Sequence, residues 1–228
     1  MASNDRRLNS KESKGFRVQY GCGFSAPPGW KNFDSSATLR FERLPLIGRL
    51  YTKNEQRFPD NVRYGDIVKG LPLPKQSCEA VYASHVLEHL SLRDFRLALS
   101  NTRELLADWG LFRLVVPDLA ILATRYLHSN DQNAASAFME QSHLGLLDRQ
   151  RGLQGLMTTW LGNGSHLWMW DLNSIRQELS AAGFTEIERC NFGDEPVFAE
   201  VEDESRFVDA LAVQCQRGSS SDTRVDEV

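Results

Sequence analysis

Four short groups of residues have the types and spacing to do chemistry. Gly21-Cys22-Gly23 follows the apolar run Phe16–Tyr20 directly. Glycines at a strand end let the backbone turn tightly and let a ligand approach with no Cβ in the way. Asp34 closes Trp30-Lys31-Asn32-Phe33. A carboxylate there can accept from two vicinal ribose hydroxyls, although Asp34-Ser35-Ser36 also makes a good turn or helix cap. Gly65-Asp66-Ile67 follows Val62-Arg63-Tyr64. Asp66 can accept from an exocyclic amine while the next backbone N–H donates to a ring nitrogen, and an ordinary turn is the plainer account. The last group is Ser84-His85-Val86-Leu87-Glu88-His89-Leu90. Two histidines with a glutamate between them suggest a metal, but their order is not the H-E-x-x-H of zinc helices. A short helix burying Val86, Leu87 and Leu90 accounts for the run, and no metal is expected.

These groups need elements to hold them. Short apolar runs alternate with helical patterns, the sign of a layered α/β domain. Seven runs read as strands: Phe16–Tyr20, Lys31–Phe33, Val62–Tyr64, Ala80–Ala83, Leu111–Val116, Glu186–Cys190 and Ala210–Gln214. A helix is expected from Ser91 to about Ala107, opened by Ser91 and Asp94, with Gly110 as its stop. Another covers Leu172–Ala182, capped by Asp171 and followed by Gly183. The span 118–170 is too long for a plain loop, and its patterns at Leu119–Leu127, Ala134–Leu147 and Gln150–Leu161 predict added helices. Residues 1–14 and 217–228 read as disordered tails around a domain at 15–216.

The chain has 228 residues with 41% hydrophobic and 25% charged side chains, which excludes a fibrous or wholly disordered protein. A net charge of −4 argues against a nucleic-acid partner. Cys22, Cys78, Cys190 and Cys215 form no C-x-x-C pair, so free thiols in a reducing compartment are expected. No apolar segment follows the charged start, and the stretch 111–127 is broken by Arg113, Pro117, Asp118 and Arg125. A secretory signal and a membrane span are therefore not expected, and a cytoplasmic location is.

Gly21-Cys22-Gly23-Phe24-Ser25-Ala26 formally matches the dinucleotide fingerprint G-x-G-x-x-G/A. That fingerprint requires a helix to start inside it and face a pyrophosphate. Pro27-Pro28-Gly29 follows at once and does not continue a helix, and Asp34 comes too soon for the acidic residue expected about 20 positions on. A nicotinamide-dependent dehydrogenase is therefore the weaker reading.

The ordered series Gly21-Cys22-Gly23, Gly29-Trp30-Lys31-Asn32-Phe33-Asp34, Gly65-Asp66-Ile67 with Leu71-Pro72-Leu73-Pro74, Ser84–Leu90 and Leu114-Val115-Val116-Pro117-Asp118 resembles the class I S-adenosylmethionine-dependent methyltransferases. More narrowly it resembles a small bacterial, methyltransferase type 11-like branch, which His166-Leu167-Trp168-Met169-Trp170-Asp171 and Ala181-Ala182-Gly183-Phe184 also fit. The resemblance covers about residues 16–215. It implies a Rossmann-like α/β fold: a seven-stranded, mostly parallel sheet with a helical insertion after the fifth strand. It implies S-adenosylmethionine as cofactor, with the backbone of Gly21, Cys22 and Gly23 against its methionine part. Asp34 would hold the ribose hydroxyls, Asp66 and Ile67 would meet the adenine, and Ser84 and His85 would border the methionine end. Gln19 replaces the usual acidic residue two before the first glycine, and the first crossover helix is reduced to the Phe24–Gly29 loop. Ala107-Asp108-Trp109-Gly110 stands where Lys-Pro-Gly-Gly is usual.

The expected acceptor is a small molecule or a carbohydrate-linked group. An oxygen acceptor often needs a general base, and His85, His143 and His166 are the candidates. His128 reads as a solvated helix end and His89 as structural. Trp160, Trp168 and Trp170 gather in the insertion with Phe138, Met139, Met157 and Met169. In an extended segment His166, Trp168 and Trp170 would share one face, able to stack on a sugar or an aromatic acceptor. The plainer reading makes these residues the insertion's own core, and Arg149 and Arg151 solvated. A non-catalytic cofactor-binding domain of the same fold is the alternative.

Overall fold

The computed structural model describes residues 15–45, 56–145 and 165–218. Seven strands form one sheet: β1 Phe16–Tyr20, β2 Lys31–Asp34, β3 Val62–Tyr64, β4 Cys78–Ser84, β5 Leu106–Pro117, β6 Phe184–Arg189 and β7 Ala210–Arg217. Their order is β3-β2-β1-β4-β5-β7-β6. The first five pair in parallel, while β7 lies antiparallel to both β5 and β6. All seven predicted strands are present; β4, β5 and β7 are longer than predicted, and β6 starts two residues earlier and ends at Arg189 rather than Cys190. β7 reaches Arg217, and Gly218 N donates to the Gly183 carbonyl at 3.1 Å, so the ordered chain extends past the expected boundary at 216.

The central strands read as apolar runs because both faces are covered. One face packs Val18, Tyr20, Val81, Phe112, Leu114 and Val213 with Phe95, Leu99 and Leu105 of the helix α2, Leu92–Leu105. The other packs Trp30, Tyr82 and Val115 around Phe198. Ser91 caps α2 as expected, its side chain accepting from Asp94 N. The helix ends at Leu105, and β5 begins at the next residue, so Gly110 is not its stop. A Cβ on Gly110 would stand 2.6 Å from the Cys78 carbonyl oxygen, inside the irregular pairing of β4 with β5. Close strand approach is what requires glycine there.

A short α1, Ala37–Glu42, follows β2, capped by Ser36. After β5 come α3, Leu119–Leu127, and α4, Ala134–Gln141, the first matching its prediction and the second shorter. They meet through Tyr126 and Phe138, ring centroids 5.8 Å apart. The expected helix at Gln150–Leu161, with Arg149, Arg151, Met157 and Trp160, lies outside the described residues. The last helix, α5 Leu172–Ala181, starts in a capping box at Asp171 and Ser174. Among the described residues no helix is long and apolar enough to cross a membrane.

Candidate functional site

The sheet order reverses between β1 and β4, and open α/β sheets bind ligands there, beyond the carboxyl ends of the strands. The segments after β1 and β4 touch at that point. A Cβ on Gly21, whose φ is +64°, would stand 2.2 Å from Val86 Cγ2. Gly23 also has a positive φ, +53°, yet among the described residues a Cβ there would meet nothing within 4 Å. Its backbone borders open space.

β1 and β2 are joined without a helix, as expected. The connection is fixed by two buried amides. Gln19 Nε2 donates to Asn32 Oδ1 at 2.6 Å and to the Ser25 carbonyl at 2.8 Å. Asn32 Nδ2 donates to the carbonyls of Pro27 and Trp30, both at 3.2 Å. Gln19 is thus directed at the connection itself, a role that its replacement of an acidic residue does not reveal in sequence.

Asp34 is 9% exposed at the end of β2. Its Oδ2 accepts from Gly23 N at 3.0 Å and its Oδ1 from Ser36 N at 2.8 Å. The carboxylate therefore ties two strand ends together and, with about four lone-pair sites, retains room for two more donors. Asp66 follows β3, its Oδ1 accepting from Val68 N at 3.0 Å and its Oδ2 paired with Lys69 Nζ at 3.0 Å. Gly65 is required by crowding, since a Cβ would stand 2.6 Å from the Phe33 ring. The Ile67 side chain is buried in the main core, and its carbonyl accepts from Asn101 Nδ2 at 2.7 Å. Cys22 is buried, and burial pushes its thiol pKa up to about 12. Ser84 ends β4, buried. The glycine loop, Asp34, Asp66–Ile67 and Ser84 thus come together at the carboxyl ends of neighbouring strands.

The histidines converge on the turn after β4. A 3-10 helix, Leu87–His89, follows Val86, and only Leu87 of the three expected apolar residues is fully buried. His85 has φ +53° and both ring nitrogens engaged: Nε2 lies 2.9 Å from the Arg206 carbonyl and Nδ1 3.4 Å from Glu88 Oε1. Burial opposes its charged form, but the Glu88 carboxylate and the Arg206 carbonyl outweigh it and raise its pKa above the usual histidine value. His89 Nδ1 lies 3.1 Å from the Ser165 carbonyl. The segment at 165–170 docks on this turn, with Leu167 N and Trp168 N donating to the Glu88 carbonyl at 2.8 and 3.1 Å. His166 is buried, and burial lowers its pKa, with His89 and His143 acting in the same direction against Glu88. His143 is exposed, its ring 4.9 Å from that of His166. His128 is exposed at the end of α3, as predicted.

The proposed aromatic face divides. Trp170 is 1% exposed and packs on Phe95 with centroids 4.2 Å apart, so it belongs to the domain core. Trp168, its centroid 6.0 Å away, is 42% exposed. A Trp-x-Trp alternation cannot by itself show which ring the domain keeps. Arg113, read in the sequence only as a break in an apolar stretch, is buried in β5. It is held by Glu202 at 2.5 Å, Asp194 at 2.6 Å and Gln214 at 2.6 Å. Its place in an apolar run was the available signal. A separate cleft of about 620 Å³ opens at the other, amino-terminal edge of the sheet, between Phe16, Trp30, Lys31, Asp60 and Glu79. It lies away from the convergent strand ends, which have the better claim as a ligand site.

No family model matches the chain, and no curated protein matches it. Among solved structures it is similar to the CurJ carbon methyltransferase, with 14% identity and a TM-score of 0.47 over 92% of this chain and 50% of that one. It is similar to human N-acetylserotonin methyltransferase in complex with SAM, with 15% identity and a TM-score of 0.45 over 90% and 48%. A possible histamine N-methyltransferase from Thermotoga maritima gives 14% identity and a TM-score of 0.46 over 90% and 83%. The chain spans about half the length of the first two. Its own strand order, β3-β2-β1-β4-β5-β7-β6 with β7 antiparallel, is the topology of the class I methyltransferases, and that Rossmann-like fold is the one this chain has.

Proposed function

We infer that this chain transfers a methyl group from S-adenosylmethionine to a small-molecule or carbohydrate-linked acceptor. The observation that carries the reading is the meeting of Gly21–Gly23, Asp34, Asp66–Ile67 and Ser84 at the reversal of strand order. The residues fit such a cofactor: Gly23 borders open space, and Asp34 is anchored by two amides without using all its acceptor sites. On this reading the Gly21–Gly23 backbone lies along the methionine part and Asp34 holds the ribose hydroxyls. Asp66 and the Ile67 amide meet the adenine, and Ser84 with His85 borders the methionine end. Bound there, the cofactor supplies an electrophilic methyl group on a sulfonium, whose in-line transfer depends mainly on alignment. His85, engaged at both nitrogens, shapes the turn beside the site, and His143 and His166, whose rings lie 4.9 Å apart, are our candidates to take an acceptor proton.

Calorimetric titration with S-adenosylhomocysteine tests the reading. The native chain is expected to bind, and Asp34→Ala and Asp66→Ala each to lose about 1–3 kcal/mol, the cost of a hydrogen bond to a charged group. No binding by the native chain would refute it. Because Gln19 is spent on Ser25 and Asn32, a domain that binds the cofactor without turnover is the second reading. Binding without transfer to any acceptor in a broad screen would favour it.

A further inference from the structure

Glu88 has no exposed side-chain surface, and apart from the 3.4 Å ion pair of Oε1 with His85 Nδ1 its carboxylate oxygens have no hydrogen-bond partner among the described residues. A carboxylate buried this way is costly unless it is neutralised, paired or bound to a metal. Imidazoles surround it. Its Oε1 lies 3.4 Å from His85 Nδ1, 3.9 Å from His89 Nε2 and 3.9 Å from His166 Nε2. Donor atoms of Glu88, His89 and His166 all lie within 4.8 Å of one another. The tautomer of His89 follows from its other nitrogen. Nδ1 faces the Ser165 carbonyl at 3.1 Å, and a carbonyl only accepts, so Nδ1 carries a proton, and in the neutral ring Nε2 presents its lone pair to the cluster. Metal-binding histidines show the same outer hydrogen bond. Backbone bonds fix the geometry, the Glu88 carbonyl accepting from Leu167 and Trp168, and His143's from His166 N.

We propose that Glu88, His89 and His166 form a binding site for one divalent cation of the zinc class. A tetrahedral centre with bonds of about 2.0–2.1 Å sets neighbouring donors about 3.4 Å apart, so the two 3.9 Å separations from Glu88 Oε1 must close by about 0.5 Å and the widest by up to about 1.4 Å. Two imidazoles and a carboxylate suit zinc, whereas calcium and magnesium favour all-oxygen sites. Exposed His143, beside His166, can supply a fourth donor or leave that position to water. His166 Nε2 is then a ligand and is not free to act as a base. The site does not depend on the chain being a methyltransferase.

The test uses the full chain, stripped with a chelator and titrated with Co²⁺, whose visible absorption reports coordination, followed by displacement with Zn²⁺. One equivalent with a tetrahedral-type spectrum is expected. Glu88→Gln, His89→Gln and His166→Gln should each weaken binding by more than the roughly 10–100-fold typical of losing an outer-shell partner. His128→Ala should leave it unchanged. Circular dichroism identifies variants that fail to fold, and the half-buried His89 gives a variant with little core disturbance. Failure of the native chain to take up either metal, or uptake that survives substitution in every folded variant, would overturn the proposal.

Discussion

Asp34 accepts from Gly23 N, so replacing it loosens the glycine loop as well as removing an acceptor. Asp34→Asn should therefore weaken S-adenosylhomocysteine binding and also lower the melting temperature, whereas Asp66→Asn, whose bonds stay within its own turn, should affect stability less. Thermal melts with and without ligand separate the two effects. The cysteines give another residue-scale prediction. Burial raises Cys22 and Cys190 to about 12 and Cys78 to about 11, and pushes Cys215 well above its ordinary value. Thiolate is the reactive form. At pH 8 a thiol reagent should modify none of the four rapidly in the folded chain, and all of them in denaturant. Fast modification of native Cys22 would contradict this. The glycines, Asp34 and Asp66 were legible in sequence because each sits next to a strand end. The buried cluster at the Glu88 carboxylate was not: adjacency in sequence showed two histidines beside it, but only folding brings up His166.

At the element scale, Asp171 accepts from Ser174 N at 2.8 Å, and that bond holds its pKa below the usual carboxylate value. Asp171→Ala should cost about 1 kcal/mol at neutral pH, measured by urea denaturation. Because the folded pKa is lowered, this contribution is present above the unfolded value of about 3.9 and lost as pH falls through the folded one. The gap between the two proteins should close in acid. Helix starts such as Ser91 and Asp171 were legible because a cap is a local hydrogen bond. The end of α2 was not. Gly110 reads as a stop by type, but the strand pairing of Leu106 with Cys78 takes over first. Likewise Arg113 interrupts an apolar run for partners that lie 78 or more positions away.

Across the whole molecule, Arg113 links β5 to β7 through Gln214 and to the 191–202 segment through Asp194 and Glu202. The Arg113 and Glu202 side chains are 1% and 0% exposed. Arg113→Met leaves Glu202 buried without its cation, holding only the Gly193 amide at 2.9 Å, and should cost about 3–5 kcal/mol in equilibrium unfolding. The equivalent change at Arg96, paired with Glu178 at the surface, should cost little. A small loss at Arg113 would mean that Glu202 finds other partners.

The placement of β7 between β5 and β6 also sets a sequence of events during synthesis. β6 is made first, but among the described strands its sheet neighbour is β7 alone, so none of them can pair with it until residues 210–217 leave the ribosome. The parallel half can form earlier, β1 through β5 being complete by Pro117. Until β7 arrives, β5 presents an open edge along Leu111–Pro117, the kind of template on which nascent chains aggregate. A ribosome pausing just before Ala210 would hold the protein at its most vulnerable point, with one strand able to close both gaps at once.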